Sequence, residues 1–323
     1  MPILKTKIKT PPFMSSAHFQ TLYPSFFRKV KNFYFHRERL NLNDGDFIDI
    51  DISQINSDSL VVLSHGLEGC SQSSYIKGMA KYIIDNKLAD VAAWNMRSCS
   101  GELNRSPFFY HGASTKDLSQ VIDYLKKRKQ YKKVHLVGFS LGGNLTGFYA
   151  STMEKEGLSE VHSACLFSSP LDLGSSGKKL NQSPISRLYK ENFLTTMRRK
   201  ALEKQKLGVL DLNPESIRQC RSFEDFDNLV TAPTNGFKNA SDYYSFASAK
   251  RVIKNTTIPT LIVQAKDDPF LTKECLPFEE ADYNPNILLE ITDNGGHIGF
   301  MTLDDTLRYW SESRVGEFLK AVS

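Results

Sequence analysis

The apolar positions of this 323-residue chain come in two rhythms, and their alternation outlines a fold before any chemistry is considered. Short runs rich in Val, Leu, Ile and Ala occupy 59–64, 90–95, 133–139, 161–168, 259–265 and 286–292, and two earlier strands are expected at 33–40 and 46–52. Runs of this kind, with little polar alternation, mark strands buried on both faces. Asp44–Gly45 predicts a hairpin between the first two. Helical spacing fills 74–86, 115–130 and 141–156, and a closing amphipathic helix is expected near 303–322. The alternation predicts the α/β class: an open, doubly wound, mostly parallel sheet of eight strands, with any site at the strands' carboxyl ends.

One interval breaks the rhythm. About 90 residues separate the sixth strand from the seventh, where a crossover helix and its loops need far fewer. The spacing from Ile185 to Leu194 and onward to Leu207 is helical, so a helical cap insertion is expected over 174–245. It divides a core made of 1–173, with an N-terminal segment at 1–32, and 246–323.

The fifth strand ends in Gly138–Phe139–Ser140–Leu141–Gly142, and a helix-forming segment follows at once. Gly-x-Ser-x-Gly between strand and helix is the nucleophile-elbow pattern of α/β-hydrolases. Ser140 must hold a strained backbone to present its hydroxyl, and Gly138 and Gly142 stand where a Cβ would clash. A serine hydroxyl needs a base, and the base needs an orienting acid, in the chain order Ser, acid, His. Of seven histidines (18, 36, 65, 111, 135, 162, 297) only His162 and His297 follow Ser140. His162 lies in an apolar run and reads as a packed core imidazole; His297, in the glycine-rich stretch 295–299, is the expected base. The acid is expected after the strand 259–265, at Asp268. Adjacent Asp267, read as a surface carboxylate near Lys266, is the alternative, and Asp172 a minor one. Oxyanion donors are expected from the Leu141 amide and from Leu67, in the loop His65–Gly66–Leu67–Glu68–Gly69 that Gly66 lets turn.

With these residues the chain resembles YheT-like α/β-hydrolases. Asn95–Met96–Arg97–Ser98–Cys99–Ser100–Gly101–Glu102 is similar to that family's Asn-x-Arg-Gly-Cys-(Gly/Ser)-Gly segment, with Ser98 where the family usually has glycine. The loop at 65–69, Tyr110–His111–Gly112 ahead of Asp117–Leu118, and Phe226–Asp227 near Thr231–Ala232–Pro233 add to the likeness. So do Asp242–Tyr243–Tyr244 and His18–Phe19–Gln20–Thr21. The resemblance runs from about residue 11 to 300. It implies Ser-Asp-His chemistry on carboxylic esters, fatty acyl esters included, with monoacylglycerol lipases and medium-chain ethyl-ester synthases among the relatives. Phe193, Leu194, Met197, Phe223, Phe226, Tyr243, Tyr244 and Phe246 are candidates to line an acyl pocket.

Composition narrows the partners. Hydrophobic residues make up 40% of the chain, enough for a large core, and no stretch approaches a membrane span. Five cysteines without ligand spacing suggest a reducing cytoplasm, with Cys99 an inert loop thiol. No His-x-x-x-His pair and no Gly-Lys-Ser/Thr motif appears, so no metal, cofactor or nucleic acid is expected. The net charge of +5 is uneven. Residues 1–40 hold eight Lys/Arg against one acid, and 178–206 hold nine against two. These blocks read as solvated helical faces, with weak association to an anionic membrane surface as the alternative. The expected activity is hydrolysis of short- to medium-chain acyl esters. Acyl transfer or thioester hydrolysis at the same site, and a silent hydrolase fold kept for binding, are the alternatives. The oligomeric state is open.

Overall fold

The computed structural model describes residues 3–10, 12–302 and 309–322. Among the described residues nine strands form one sheet: β1 (Ile3–Thr6), β2 (His36–Asn41), β3 (Phe47–Ser53), β4 (Ser59–Ser64), β5 (Asp90–Trp94), β6 (Lys133–Phe139), β7 (Ser163–Phe167), β8 (Thr260–Ala265) and β9 (Ile287–Thr292). Their order is β1-β9-β8-β7-β6-β4-β5-β3-β2. Pairing is parallel from β1 through β5 and antiparallel where β3 meets β5 and β2. The sheet therefore has nine strands where the apolar pattern predicts eight. β1 escapes that pattern because it is four residues long, interrupted by Lys5, and held by β9 at the far end of the chain.

The helices are α1 (Ala17–Phe27), α2 (Ser74–Asp85), α3 (Thr115–Arg128), α4 (Leu141–Glu156), α5 (Leu173–Lys179), α6 (Pro184–Lys206), α7 (Pro214–Gln219), α8 (Phe223–Phe226), α9 (Ala232–Thr234), α10 (Ala240–Ala247), α11 (Lys250–Ile253), α12 (Phe278–Tyr283) and α13 (Trp310–Val322). The front of the expected closing helix, 303–308, lies outside the described residues.

Apolar runs of the Leu60–Val61–Val62–Leu63 kind divide their side chains between two cores. Leu60 and Val62 pack with Leu118, Val121 and Leu145 of α3 and α4. Val61 and Leu63 pack with Ile76, Met79 and Val315 of α2 and α13. A third cluster joins Leu194, Met197, Ala201, Ile217 and Phe226, from the helices between β7 and β8, to Phe270 and Leu271. The predicted hairpin joins β2 and β3 through residues 42–46, with Gly45 at φ +82°. Among the described residues no helix is long and apolar enough to cross a membrane.

Two parts of the sheet position the site. Ser64 of β4 is in register with Gly138 of β6, so the loops leaving these strands run side by side. Ala265 of β8 is likewise in register with Thr292 of β9. Three imidazoles are shielded from water, and burial pushes His65, His111 and His135 down to about 4. Unfolding returns them toward 6.5, so the unfolded chain binds more protons in that window and stability falls as pH falls through it. Asp227, which burial pushes up to about 6, acts in the opposite sense with Asp267 and Glu312, also raised by burial, whereas His162, lowered by burial, joins the three imidazoles. The melting temperature should therefore drop by several degrees between about pH 7 and about pH 5. A flat or rising profile in scanning fluorimetry would contradict this account.

Candidate active site

At the end of β6 the chain turns into α4 through Ser140, whose φ of 52° and ψ of −124° lie outside the usual regions for a side-chain-bearing residue. The turn works only with glycine on either side. A Cβ at Gly142 would stand 2.3 Å from the His65 carbonyl oxygen, and one at Gly138 equally close to that of Gly142. Gly66 is nearly as constrained, since its Cβ would meet that of Ser140 at 3.0 Å.

Three predicted residues meet in a line. Ser140 Oγ donates to His297 Nε2 at 2.8 Å, and His297 Nδ1–H donates to Asp268 Oδ2 at 2.9 Å. Asp268 is held in turn: Oδ1 accepts from the Phe270 amide at 2.8 Å, and Lys179 Nζ donates to its backbone carbonyl at 2.9 Å. The Phe270 ring stacks on the imidazole of His297, 4.1 Å between centroids. The His297 amide donates to Thr21 Oγ1 at 2.9 Å, which ties the loop carrying this imidazole to α1.

The other predicted carboxylates lie elsewhere. Asp172 caps α5, accepting from the Ser175 amide at 2.8 Å. Asp267 is not the surface partner of Lys266, which pairs instead with Asp293 at 2.6 Å. It is half-buried and accepts from the Gly296 amide at 3.0 Å, because the loop carrying His297 folds back over it, and burial raises its pKa. His162 is not a core imidazole. It precedes β7 at the amino edge of the sheet and is exposed, its Nδ1 accepting from the Val134 amide.

In the loop after β4, the Gly66 amide donates to Tyr75 Oη (2.9 Å), that of Glu68 to Tyr110 Oη (2.7 Å) and that of Gly69 to the Gly66 carbonyl (3.0 Å). The Leu67 and Leu141 amides find no protein acceptor among the described residues, and both residues border the space in front of Ser140. His65 lies underneath, Nδ1–H donating to the Gly66 carbonyl and Nε2 accepting from the Met96 amide. Glu68 holds φ +55° and is reached from α6 by Lys200, whose Nζ lies 2.9 Å from Oε2 and 3.4 Å from Cys99 Sγ.

Lys200 belongs to the second basic block, and that block is not simply a solvated face. Lys179, Lys200 and Lys204 turn inward, Lys204 donating to the Ser106 and Phe108 carbonyls. Burial pushes Lys204 down to about 8. None of these contacts carries a sequence signature beyond the positive charge itself.

Two cavities meet at Ser140 and His297. One, of about 110 Å³, lies beneath the helices between β7 and β8 and is mostly apolar, with Phe193, Met197, Phe223, Phe226, Tyr243 and Tyr244 in its walls. Leu194 and Phe246, also expected there, are absent from it: Leu194 is fully buried in the third core cluster and Phe246 faces solvent. The other, of about 280 Å³, opens toward α1 between Thr21, Leu22, Phe26, Tyr75 and Tyr189. Ser98 adopts φ +61°, a conformation that glycine takes readily, and its Oγ accepts from the Asn104 amide at 3.1 Å. Among the described residues no cluster of His, Cys, Asp or Glu could hold a metal ion.

An elbow serine in line with an imidazole and a buried carboxylate, at the carboxyl edge of a doubly wound sheet, defines the α/β-hydrolase class. Comparison with known proteins agrees, since residues 59–303 match the family described as the alpha/beta hydrolase fold. The candidate esterase YheT of Escherichia coli is 33% identical over 315 residues, 94% of this chain and 90% of that protein. A monoacylglycerol lipase of Saccharomyces cerevisiae is 30% identical over 84% of this chain and 61% of its own length. Among solved structures, the Pyrococcus furiosus esterase Pf2001 superposes with a TM-score of 0.58 at 17% identity, covering 91% of this chain and 95% of that one. The chain belongs to the α/β-hydrolase family, and within it to the YheT-like hydrolases.

The Lys200–Glu68 pair yields a prediction. Both side chains are nearly buried, so Lys200→Met leaves a carboxylate without its cation and should cost about 3 kcal/mol in urea unfolding. The double variant Lys200→Met/Glu68→Gln should recover most of that loss, whereas additive losses would mean that the pair does not act as a unit.

Proposed function

We propose that this ester hydrolase turns over short- to medium-chain acyl esters by transferring the acyl group to Ser140. The observation that carries the reading is the unbroken line from Ser140 Oγ through His297 to Asp268, at 2.8 and 2.9 Å. His297 Nε2 takes the Ser140 proton as Oγ attacks the ester carbonyl carbon. Asp268 keeps Nδ1 protonated and stabilises the imidazolium that forms. The negative charge on the carbonyl oxygen is received by the Leu67 and Leu141 amides, a role supported by their lack of protein acceptors and by the α4 N-terminus behind Leu141. Collapse of the tetrahedral intermediate breaks the bond to the leaving oxygen, which takes the proton from His297. Water, activated by the same imidazole, then attacks the acyl-serine, and the acid departs as Ser140 regains its proton.

Residues 174–245 serve in this reading as a helical cap whose underside forms the acyl pocket. The small apolar cavity favours short to medium chains, and the second cleft holds the alcohol portion. An alcohol seated in that cleft in place of water would make the same site an acyltransferase. A cytoplasmic location is supported by five cysteines that are all free.

Incubation with a fluorophosphonate should leave an adduct on Ser140, seen by peptide mass spectrometry, and Ser140→Ala should lose turnover without losing stability. Asp268→Asn should lower kcat by roughly 10⁴, while an unaltered rate would remove Asp268 from the mechanism. Across a panel of p-nitrophenyl esters turnover should fall for long chains, and Met197→Ala should move the optimum toward longer ones. An optimum that stays put would argue against the cavity as the acyl pocket.

A further inference from the structure

The fold brings parts of the two basic blocks together at one mouth of the site. α1 and the start of α6 touch through His18 and Tyr189, with ring centroids 5.9 Å apart and Nδ1 3.1 Å from the tyrosine hydroxyl. Beside this contact large apolar side chains face water. Phe26 is 72% exposed and Phe27 67%, and Leu188, next to Tyr189 on α6, is 72% exposed. Ile185 is exposed too, one helical turn from Leu188 and Tyr189 and so on the same face. Clusters of this kind on a water-exposed surface mark a site of interaction.

Place and charge say what the interaction is with. Leu22, Phe26 and Tyr189 line the same cleft as Ser140 and His297. Residues 17–34 and 183–190 contain no acidic residue. Within these two segments the charge is of one sign, although Glu68 lines the same cleft, Arg28 pairs with Glu312 of α13, and Glu191 follows directly on α6. Lys29 and Lys31 are exposed and enter no ion pair with a described residue, and exposed Arg187 uses only its Nε, on the Asn181 carbonyl. Aromatic and aliphatic side chains ringed by Lys and Arg match the boundary between acyl chains and anionic headgroups. We propose that this face docks on the surface of an anionic phospholipid bilayer. Leu22, Phe26, Phe27 and Leu188 sink to the headgroup boundary, and the cleft opens directly onto the lipid. Docking stands on the surface alone; delivery of an ester from the lipid to Ser140 rests on the proposed acyl transfer.

The test is flotation of the full chain with vesicles of phosphatidylcholine, with or without phosphatidylglycerol, read by protein mass. The chain should float with the anionic vesicles and remain behind with the neutral ones. Phe27→Gln/Leu188→Gln and Lys29→Glu/Lys31→Glu should each cut the bound fraction by about tenfold. All four positions lie outside both cavities, so turnover of a water-soluble short-chain ester should be unchanged in both variants, while turnover of a vesicle-embedded ester falls with binding. Failure to float on anionic vesicles, or variants that float like the parent, would overturn the proposal. So would light scattering that finds a dimer which Phe27→Gln/Leu188→Gln dissolves, because a second copy would then cover the face. A chain that floats but hydrolyses no ester supports docking and overturns the acyl-transfer reading instead.

Discussion

At Ser140 the chain passes from strand to helix in a conformation that a residue with a side chain holds only when its surroundings allow no other. That constraint organises the neighbourhood. α4 must press against the end of β4 so closely that no Cβ fits at Gly142, and the β4 loop must accept a serine side chain against Gly66. Packing of α4 by Leu145 and Phe148 in the first core therefore does more than cover a sheet face. It supplies the energy that keeps one strained residue strained. Relaxation of the turn would swing the hydroxyl away from His297, so rigidity of the core and alignment of the site are one property.

The helices between β7 and β8 act on the site through cations rather than through apolar contact alone. Lys179 grips the segment carrying Asp268, Lys200 grips the loop carrying Leu67, and Lys204 grips the carbonyls of residues 106 and 108. Lysine suits this work because its long stem crosses a layer boundary and its ammonium satisfies several oxygens at once. A shift of α6 would thus reach the proposed oxyanion loop directly, through Glu68.

Ser140, His297 and Asp268 are legible in the sequence because each follows an apolar strand and chain order limits the choices. The sheet is legible for the same reason, apart from β1, whose partner lies nearly the whole chain away. What escapes is support that depends on folding rather than spacing. Thr21 under the His297 loop and Glu68 under Lys200 sit in segments that mark the resemblance, but nothing local reveals what they brace. Motifs that marked the family resemblance without an evident chemical role prove to be braces. Arg97 forks onto Asp117, Tyr243 Oη accepts from the Gly112 amide, and Gln20 accepts from the Met301 amide. Asp267 and His162 depart from the sequence expectation because adjacent residues do not reveal which way a loop folds or where a strand begins.

The bond between Thr21 and the His297 amide, together with the pairing of β1 and β9, has a consequence for how the protein is made. Both join roughly the first fifteenth of the chain to roughly its last eighth. During synthesis the opening segment leaves the ribosome with nothing to hold it, and its partners emerge only after the rest of the sheet has been translated. Earlier strands can assemble around β4 and β6, but Thr21 and β1 have no partner until residues 287–297 have been translated. The nascent chain therefore carries an aligned serine turn long before it carries a complete site, and its first and last segments must find each other to finish it.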